Sequence, residues 1–558
     1  MIIHGLLALL CACVKLSLAT SGPRITLLND GSNNSFSLHV TAFSGSADLW
    51  NIVNGSITVS SDGGANWAPV DSLGHNITSF QLDEYHPGSR AFAVDGDHGH
   101  VFQTVDQGRT WSQMKLANGS LWDDIIDINR EQIHFEMSFT TNPSALEEIL
   151  VTTYVCGAVP YMCTYGFLLI STDGSSLRRA RGLQALGDQS SGNGCRFSGT
   201  SAGSRIICEL APSSVMATAR GVRLFYSDDH GETFAPLKEF EGLEVYFSQA
   251  MGNFDIVQTV EPRKRHRLKR KHEVWLSRDG EGYERVDAAT SYEPAYISSS
   301  RNPRGNLEVR VTRKILGKTA ETLLVSNPSG PLLTTLVTYD PNKRAAYVLS
   351  GEGDRDAVLM SSVDAQFSYG DERKADSHST IVFDDGGVKW SRLQLNDSNQ
   401  EFGCDPTQPG NCFINVLRFP MWKPSFSSPV AVVEGEAVAI NGTSRLTSGT
   451  KTFLTKDGGF SWHKILDFPA SVYFVNNGKL LFAIPASRDG GFCGPMLYYS
   501  TDQGDSWSSR SLGPTSQILL INPIAKDESG MAFAVYSLIL STELQNYIVD
   551  FSEMLAGA

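Results

Sequence analysis

One octapeptide returns along the whole chain, and no other feature narrows the possible folds so far. Its cleanest copy runs Ser500-Thr501-Asp502-Gln503-Gly504-Asp505-Ser506-Trp507. Close copies centre on Asp62, Asp106, Asp229, Asp385 and Asp457, each with Gly two residues on and Trp or Phe five residues on. Weaker copies centre on Asp173 and Asp279. The Asp-to-Asp intervals are 44, 67, 56, 50, 106, 72 and 45 residues, so the widest one predicts a degenerate copy between Asp279 and Asp385.

The chemistry of the octapeptide is that of a tight turn. Asp accepts hydrogen bonds from backbone N–H groups just ahead of it, Gly supplies a left-handed position, and the Ser/Thr hydroxyl adds a local bond. The closing aromatic then opens the next strand and packs inward. Apolar or alternating segments precede the copies, as in Met496-Leu497-Tyr498-Tyr499, Arg223-Leu224-Phe225-Tyr226 and Val274-Trp275-Leu276. Strand, tight turn, strand, repeated about every 50 residues, predicts an all-β chain folded as a large β-propeller. Eight equivalent carboxylates argue for turn chemistry, so no catalytic residue is assigned among them.

Composition agrees. Charged residues are 19% of the chain, below the roughly 25% of an average soluble protein, while 51 Gly, 9 Trp, 17 Tyr and 28 Phe suit turn-rich β structure. The net charge of -14, from 46 basic and 60 acidic residues, excludes nucleic acid and anionic membrane as main partners, because both require excess Lys and Arg.

The amino terminus sets the expected compartment. Gly5 to Val14 is an apolar run, and Ser17-Leu18-Ala19 has the small residues of a cleavage site, so residues 1–19 read as a signal peptide. A membrane span needs about 20 apolar residues; this run is shorter, and the best later stretch, Ala532 to Leu540, holds nine. The expectation is a chain in the secretory pathway lumen, or secreted, without a span of its own.

Cysteine usage fits an oxidising lumen. Beyond the signal, Cys156/Cys163, Cys195/Cys208 and Cys404/Cys412 lie close in sequence and read as loop-clipping disulfides, with Cys493 left over as a buried thiol. Zinc is the competing reading, but no Cys-x-x-Cys pair and no His at ligand spacing supports it. No metal or cofactor is expected. Six Asn-x-Ser/Thr sequons, at Asn33, Asn54, Asn76, Asn118, Asn396 and Asn441, suit a glycosylated surface.

The octapeptide is the Asp-box, found in sialidases, xyloglucanases and sortilin receptors. Two longer stretches point to one of these. Thr380 to Val416 places a box, a dozen polar residues, then Cys404 and Cys412; the terminal segment carries the box at Asp502, the run Ile518-Leu519-Leu520-Ile521 and the strand Tyr547 to Phe551. Both resemble the sortilin-type ectodomain, the vacuolar-protein-sorting receptor domain. The resemblance implies a ten-bladed propeller over residues 20–558, whose tunnel binds peptides, propeptides or lysosomal and vacuolar cargo for sorting between Golgi, endosome and surface. The expectation is also that this chain lacks the cysteine-rich modules, membrane span and cytosolic tail that follow the propeller in such receptors.

In the family a basic residue ahead of one box, with nearby aromatics, holds peptide carboxylates. By offset from Asp279, His272 takes that place, with Arg270 and Lys271 just before it, while Phe254 and Tyr296 resemble the family's aromatics. The basic run Arg263 to Lys271 has other readings: a solvated loop, a sulfated-glycan site, or a furin-like cleavage site ending at Arg270 in Arg267-Leu268-Lys269-Arg270. The alternative function is a secreted Asp-box glycosidase. A sialidase, however, carries a Phe/Tyr-Arg-Ile-Pro element before its first box, and the nearest match here, Leu417-Arg418-Phe419-Pro420, lies far downstream.

Overall fold

The computed structural model describes residues between Arg24 and Asp550, apart from 28–39, 117–132, 186–193, 199–204, 211–222, 262–269, 288–295, 327–332, 363–379, 419–429, 487–493, 524–536 and shorter breaks. Residues 1–19, expected as a signal, lie outside the described residues, as do Asn33, Asn118, Asp279, Asp385 and Cys493. Among the described residues the strands form ten sheets that follow one another along the chain. Seven are plain blades of four consecutive antiparallel strands, beginning at Thr41, Ile77, Gly194, Glu244, Tyr296, Arg344 and Ala470.

The other three depart from that plan. In the third sheet, strands Ile133–Asn142, Ala145–Gly157, Cys163–Ser171 and Ser176–Arg179 gain a parallel edge from Lys115–Leu116. In the eighth, Gln394–Leu395 pairs in parallel with Ser461–Leu466 and antiparallel with Cys412–Arg418, closing five strands into a small ring; a hairpin strand, Ser444–Thr447, adds to its side. The tenth joins Ile518–Pro523, Ser537–Thr542 and Asn546–Asp550 to Arg24–Leu27, with Arg24 opposite Asp550 and Leu27 opposite Tyr547. Pairing strands from the two ends of the sequence covers two edges that would otherwise be exposed.

First strands of neighbouring sheets approach one another, as Ile77–Leu82 does Ile133–Asn142 and Ile133–Asn142 does Gly194–Phe197, with second strands such as Leu49–Val53 and Ala145–Gly157 beside them. They therefore line the central channel, and the fourth strands lie outside. Antiparallel alternation then gives the molecule two faces. Turns from first to second and third to fourth strand open on one, here called the box face. Turns from second to third strand, and connections between sheets, open on the other, the connector face.

Every described box occupies a third-to-fourth turn, and Asp279 and Asp385 fall in sequence between a third and a fourth strand. The first nine sheets have such a turn, and eight of them carry the copies at Asp62 to Asp502. The degenerate ninth lies in the sixth sheet after Lys318–Val325, where Ser326-x-Pro328-x-Gly330 keeps the frame with proline in place of Asp.

Six boxes fall among the described residues, and their wiring is uniform. In the fourth sheet Asp229 Oδ1 accepts from the Ser227 hydroxyl at 2.8 Å and the Thr233 N–H at 2.9 Å, Oδ2 accepts from the Thr233 hydroxyl at 2.6 Å, and the Gly231 N–H donates to Ser227 Oγ. Asp62, Asp106, Asp457 and Asp502 repeat the pattern, with the Asn66 amide replacing the hydroxyl at Asp62. Trp67, Trp462 and Trp507 close their boxes by donating Nε1–H to the box glycine's carbonyl. Asp173 is weaker in sequence because its turn is one residue shorter, so that Ser176, three residues on, supplies both bonds.

These bonds favour the ionised carboxylate. For Asp62 the N–H and amide of Asn66, with Ser60, hold it at about 2. At Asp229 burial pushes upward, but Thr233 and Ser227 outweigh it and the value also falls to about 2.

Between the sheets lies the core. Phe43, Trp50, Phe80 and Trp111 cluster where the first sheet meets the second, Trp50 and Phe80 stacked with ring centroids 6.0 Å apart. Cys195 and Cys208 face each other in register and are disulfide-bonded, buried against Leu150, Leu168 and Ile170 of the third sheet. Cys404 and Cys412 are also bonded. Cys156 lies opposite Cys163 in the ladder, which fits the expected pair at the backbone level; their side chains lie outside what is described.

Candidate functional site

The fifth sheet carries most of the residues expected to meet a ligand. Its first three strands are Glu244–Met251, Phe254–Val260 and His272–Ser277, and their register aligns Glu244, Val260 and His272 across the connector-face end. Arg270 sits just before that row. Its Nε donates to the Glu261 carbonyl at 2.7 Å, and its Nη2 pairs with the Glu244 carboxylate. Lys271 pairs with Glu273, which Arg285 also reaches at 3.3 Å. Each described cation here thus already has a carboxylate. Burial and the neighbouring Arg270 push the His272 imidazole below its ordinary range, so the formal positive charge rests on Arg270 and Lys271.

Phe254 stands elsewhere. It pairs with Met251, six positions along the strand from Val260, or roughly 20 Å at about 3.3 Å per residue. It packs against the core shared with the sixth sheet, beside Ile256, Ile297 and Leu307. Tyr296 opens the first strand of the sixth sheet, opposite Thr312, and so lies at the connector-face end of the channel. The fold brings Arg270, Lys271, His272 and Tyr296 to one face and leaves Phe254 at the opposite end of its sheet. Of the two aromatics expected near the cations, Phe254 therefore lies away from them. Sequence offset fixes a residue's place on its own strand, whereas register decides which end of the neighbour it meets.

The expected cleavage position is also constrained. The bond after Arg270 joins two residues of the hairpin ladder, since Lys271 O accepts the Glu261 N–H at 3.0 Å while the Arg270 side chain is doubly held. Residues 263–269 of the basic run lie outside the described residues.

A polar seam that sequence reading missed runs between the fourth and fifth sheets. Arg196, on channel-lining strand Gly194–Phe197, donates from Nη2 to Ser248 Oγ at 2.6 Å and from Nε to Asp255 Oδ1 at 3.4 Å, with Glu209 Oε1 at 3.7 Å. Asp255 is 1% exposed. A similar arginine spans the sixth and seventh sheets: Arg310 Nη1 donates to the Ala346 carbonyl at 2.9 Å and meets Glu321 and Tyr339 at 3.4 Å. Burial and the hydrogen bond to Glu321 raise the Tyr339 hydroxyl well above its usual range. Cys195 immediately before Arg196 was the available signal, because the disulfide fixes the strand that aims the arginine. Among the described residues no group of three or more His, Cys, Asp or Glu can hold a metal ion, and no helix is long and apolar enough to cross a membrane.

Ten consecutive sheets, Asp-box turns on one face and clipping disulfides define an Asp-box propeller. The chain belongs to the Sortilin-Vps10 family (Sortilin, neurotensin receptor 3), which it matches over residues 55–520. It is 23% identical to vacuolar protein sorting/targeting protein 10 of Zygosaccharomyces rouxii, covering 97% of this chain and 36% of that protein. It is 20% identical to vacuolar protein sorting/targeting protein PEP1 of Saccharomyces cerevisiae, covering 92% and 35%. The chain thus spans about a third of the length of these relatives. Among solved structures it is similar to a GH74 xyloglucanase from Xanthomonas campestris, at 11% identity and a TM-score of 0.29 over 95% of this chain and all of that one. At that score the likeness carries no argument about this chain. Both relatives are named for the sorting or targeting of vacuolar proteins.

Proposed function

We propose that this chain is a lumenal cargo-binding module of the sortilin type, which captures peptides, propeptides or cargo proteins in its propeller tunnel. The observation that carries the reading is the family match, which begins in the first sheet and ends in the tenth. The connector-face end of the fifth and sixth sheets supplies the contact of choice. A ligand carboxylate would take the place of Glu244 on the Arg270 guanidinium, a charge-assisted exchange, with Tyr296 on the adjoining first strand. Phe254 would serve only a second, separate contact.

Affinity capture of the secreted chain, followed by mass spectrometry of what elutes, tests the reading. Peptides with free carboxyl ends are the expected product, and xyloglucan and fluorogenic sialosides are expected to remain intact. Turnover of either sugar with no bound peptide would replace this reading with the glycosidase one.

A further inference from the structure

The sixth sheet presents an arginine to the ligand end of the fifth. Arg313 lies on its second strand, Leu307–Ile315, in register with Ala320 and one residue beyond the row of Tyr296 and Thr312, so it stands at the connector-face end. The pleat fixes the direction of its side chain. Leu307, Val309 and Val311 pack on Ile256, Val274 and Leu276 of the fifth sheet, while Arg310 turns the other way, to the Ala346 carbonyl of the seventh. Arg313 continues the first of these faces and points at the fifth sheet.

The pair already described lies across from it. Val257 and Trp275 face the fourth sheet, whereas Ile256 and Val274 face the sixth. By the same alternation Val260 and His272 face the sixth, and so does Glu244, opposite Val260; Val245, next along, packs toward the fourth. Arg270 reaches Glu244 on that side, and Lys271 reaches Glu273 on the other. Packed sheets stand about 10 Å apart. One such gap therefore has the Arg270–Glu244 pair on one wall and Arg313 on the other, above a floor of Val274, Ile297 and Val311.

The arginines differ in what they hold. Arg270, Arg285 and Arg310 each have a carboxylate, on Glu244, Glu273 and Glu321. Arg313 is half-buried, its Nε–H is buried without a hydrogen-bond partner, and no carboxylate pairs with it among the described residues. Buried polar groups are normally satisfied, and a carboxylate satisfies a guanidinium best. A ligand carboxylate can do so here without displacing an internal competitor.

We propose that Arg313 is a specificity-determining residue of this binding site: it takes the side-chain carboxylate of the ligand's last residue, so that the chain selects peptides ending in Asp or Glu. The inference rests on the reading that the terminal carboxylate docks on Arg270, and the two carboxylates of one acidic residue then span the gap. The full chain is immobilised and offered a randomised library of short peptides, once as free acids and once as C-terminal amides, and bound peptides are sequenced by mass spectrometry. The parent is expected to favour free acids and, among them, to enrich Asp and Glu over Asn and Gln at the last position roughly fivefold, the scale of one partly exposed ion pair. Arg313→Gln is expected to lose that enrichment and keep the preference for free acids, and Arg313→Lys, which retains the charge, to keep part of the enrichment. A preference for free acids without acidic enrichment in the parent, or an enrichment that survives Arg313→Gln, overturns the role given to Arg313 and leaves the docking on Arg270 standing. Loss of both preferences by both variants makes Arg313 a structural residue and overturns that role too. No preference for free acids in the parent overturns the docking on Arg270, and the selection of the last residue with it.

Discussion

Gly108 stands so close to Trp50 that a Cβ at position 108 would lie 2.1 Å from the indole Cη2. The box turn of the second sheet is thereby seated on the aromatic core of the first. Gly231 repeats the relationship against Ile170, where a Cβ would lie 2.3 Å away. Both glycines also sit at positive φ, 79° and 80°. Gly108→Ala therefore combines overpacking with backbone strain, and a loss of about 2–4 kcal/mol is expected. Gly45→Ala shares the strain, at φ 78°, but meets nothing within 4 Å. Denaturant unfolding should show Gly45→Ala losing only about 1 kcal/mol. Equal losses would mean that the seat on Trp50 contributes nothing.

Box carboxylates give the fold an acid limit. The folded-state value of Asp229, about 2, lies below the roughly 3.9 of an unfolded Asp. The stability it contributes is present above the unfolded value and is lost as pH falls toward the folded one, from about pH 4 to about pH 2. Asp62, also held at about 2, acts in the same window, and the lowered carboxylates of Asp106, Asp457 and Asp502 act in the same direction. Asp229→Asn should lower the unfolding midpoint at neutral pH and flatten its decline across that window. A variant whose acid profile parallels the parent would show that the box bonds are not what acid breaks.

Arg196 ties the fourth sheet to the fifth through Ser248 and Asp255. Truncating it leaves a buried carboxylate with less compensation, and Arg196→Ala is expected to cost about 2–4 kcal/mol. In a double-mutant cycle with Ser248→Ala, a coupling of at least about 0.5 kcal/mol is the expected result. Additivity would assign the loss to burial of Asp255 alone.

The disulfide beside it makes a separate prediction. Cys208 is wholly buried and Cys195 nearly so, within the core shared with the third sheet. The bond closes a short loop, with a sequence separation of 13, so C195A/C208A should lose about 2–4 kcal/mol from the lost cross-link and the space left in the core. Reducing agent should lower the thermal midpoint of the parent and leave that of a variant lacking Cys195, Cys208, Cys404 and Cys412, and the expected pair Cys156 and Cys163, unmoved.

Much of this architecture was legible because the Asp-box is a local device. Its bonds join residues two to four apart, so the turn and its strands follow from a pattern within one window, while the spacing of the copies bounded the degenerate one only to the interval between Asp279 and Asp385. The residue after the Asp was not legible. Gln107, His230 and Gln503 take φ of 63°, 53° and 56° because the turn needs two consecutive left-handed residues, and only Gly63 and Gly458 advertise that in sequence. Nor were Arg196 and Arg310 legible, because their partners lie on other strands and in the next sheet. The expected ligand set divided for the same reason. Phe254 and His272 are 18 residues apart in sequence, and the hairpin register places them at opposite ends of one sheet.

Glu244 and Arg270 give the sharpest test of the binding site. Their ion pair holds the guanidinium before any ligand arrives, so a peptide carboxylate has to displace an internal competitor. Glu244→Gln removes the competing charge and keeps the shape. If ligand carboxylates dock on Arg270, it should tighten capture of free-carboxylate peptides by roughly three- to tenfold, the scale of about 1 kcal/mol for a partly exposed pair. Arg270→Ala should abolish the difference between free-carboxylate and amidated peptides, while Phe254→Ala should leave that difference intact, because Phe254 lies at the far end of the sheet. Titration of labelled peptides against the three variants reads all of this in one format. A discrimination that survives Arg270→Ala would move the carboxylate site off the fifth sheet, with Arg196 of the neighbouring channel strand the next residue to replace.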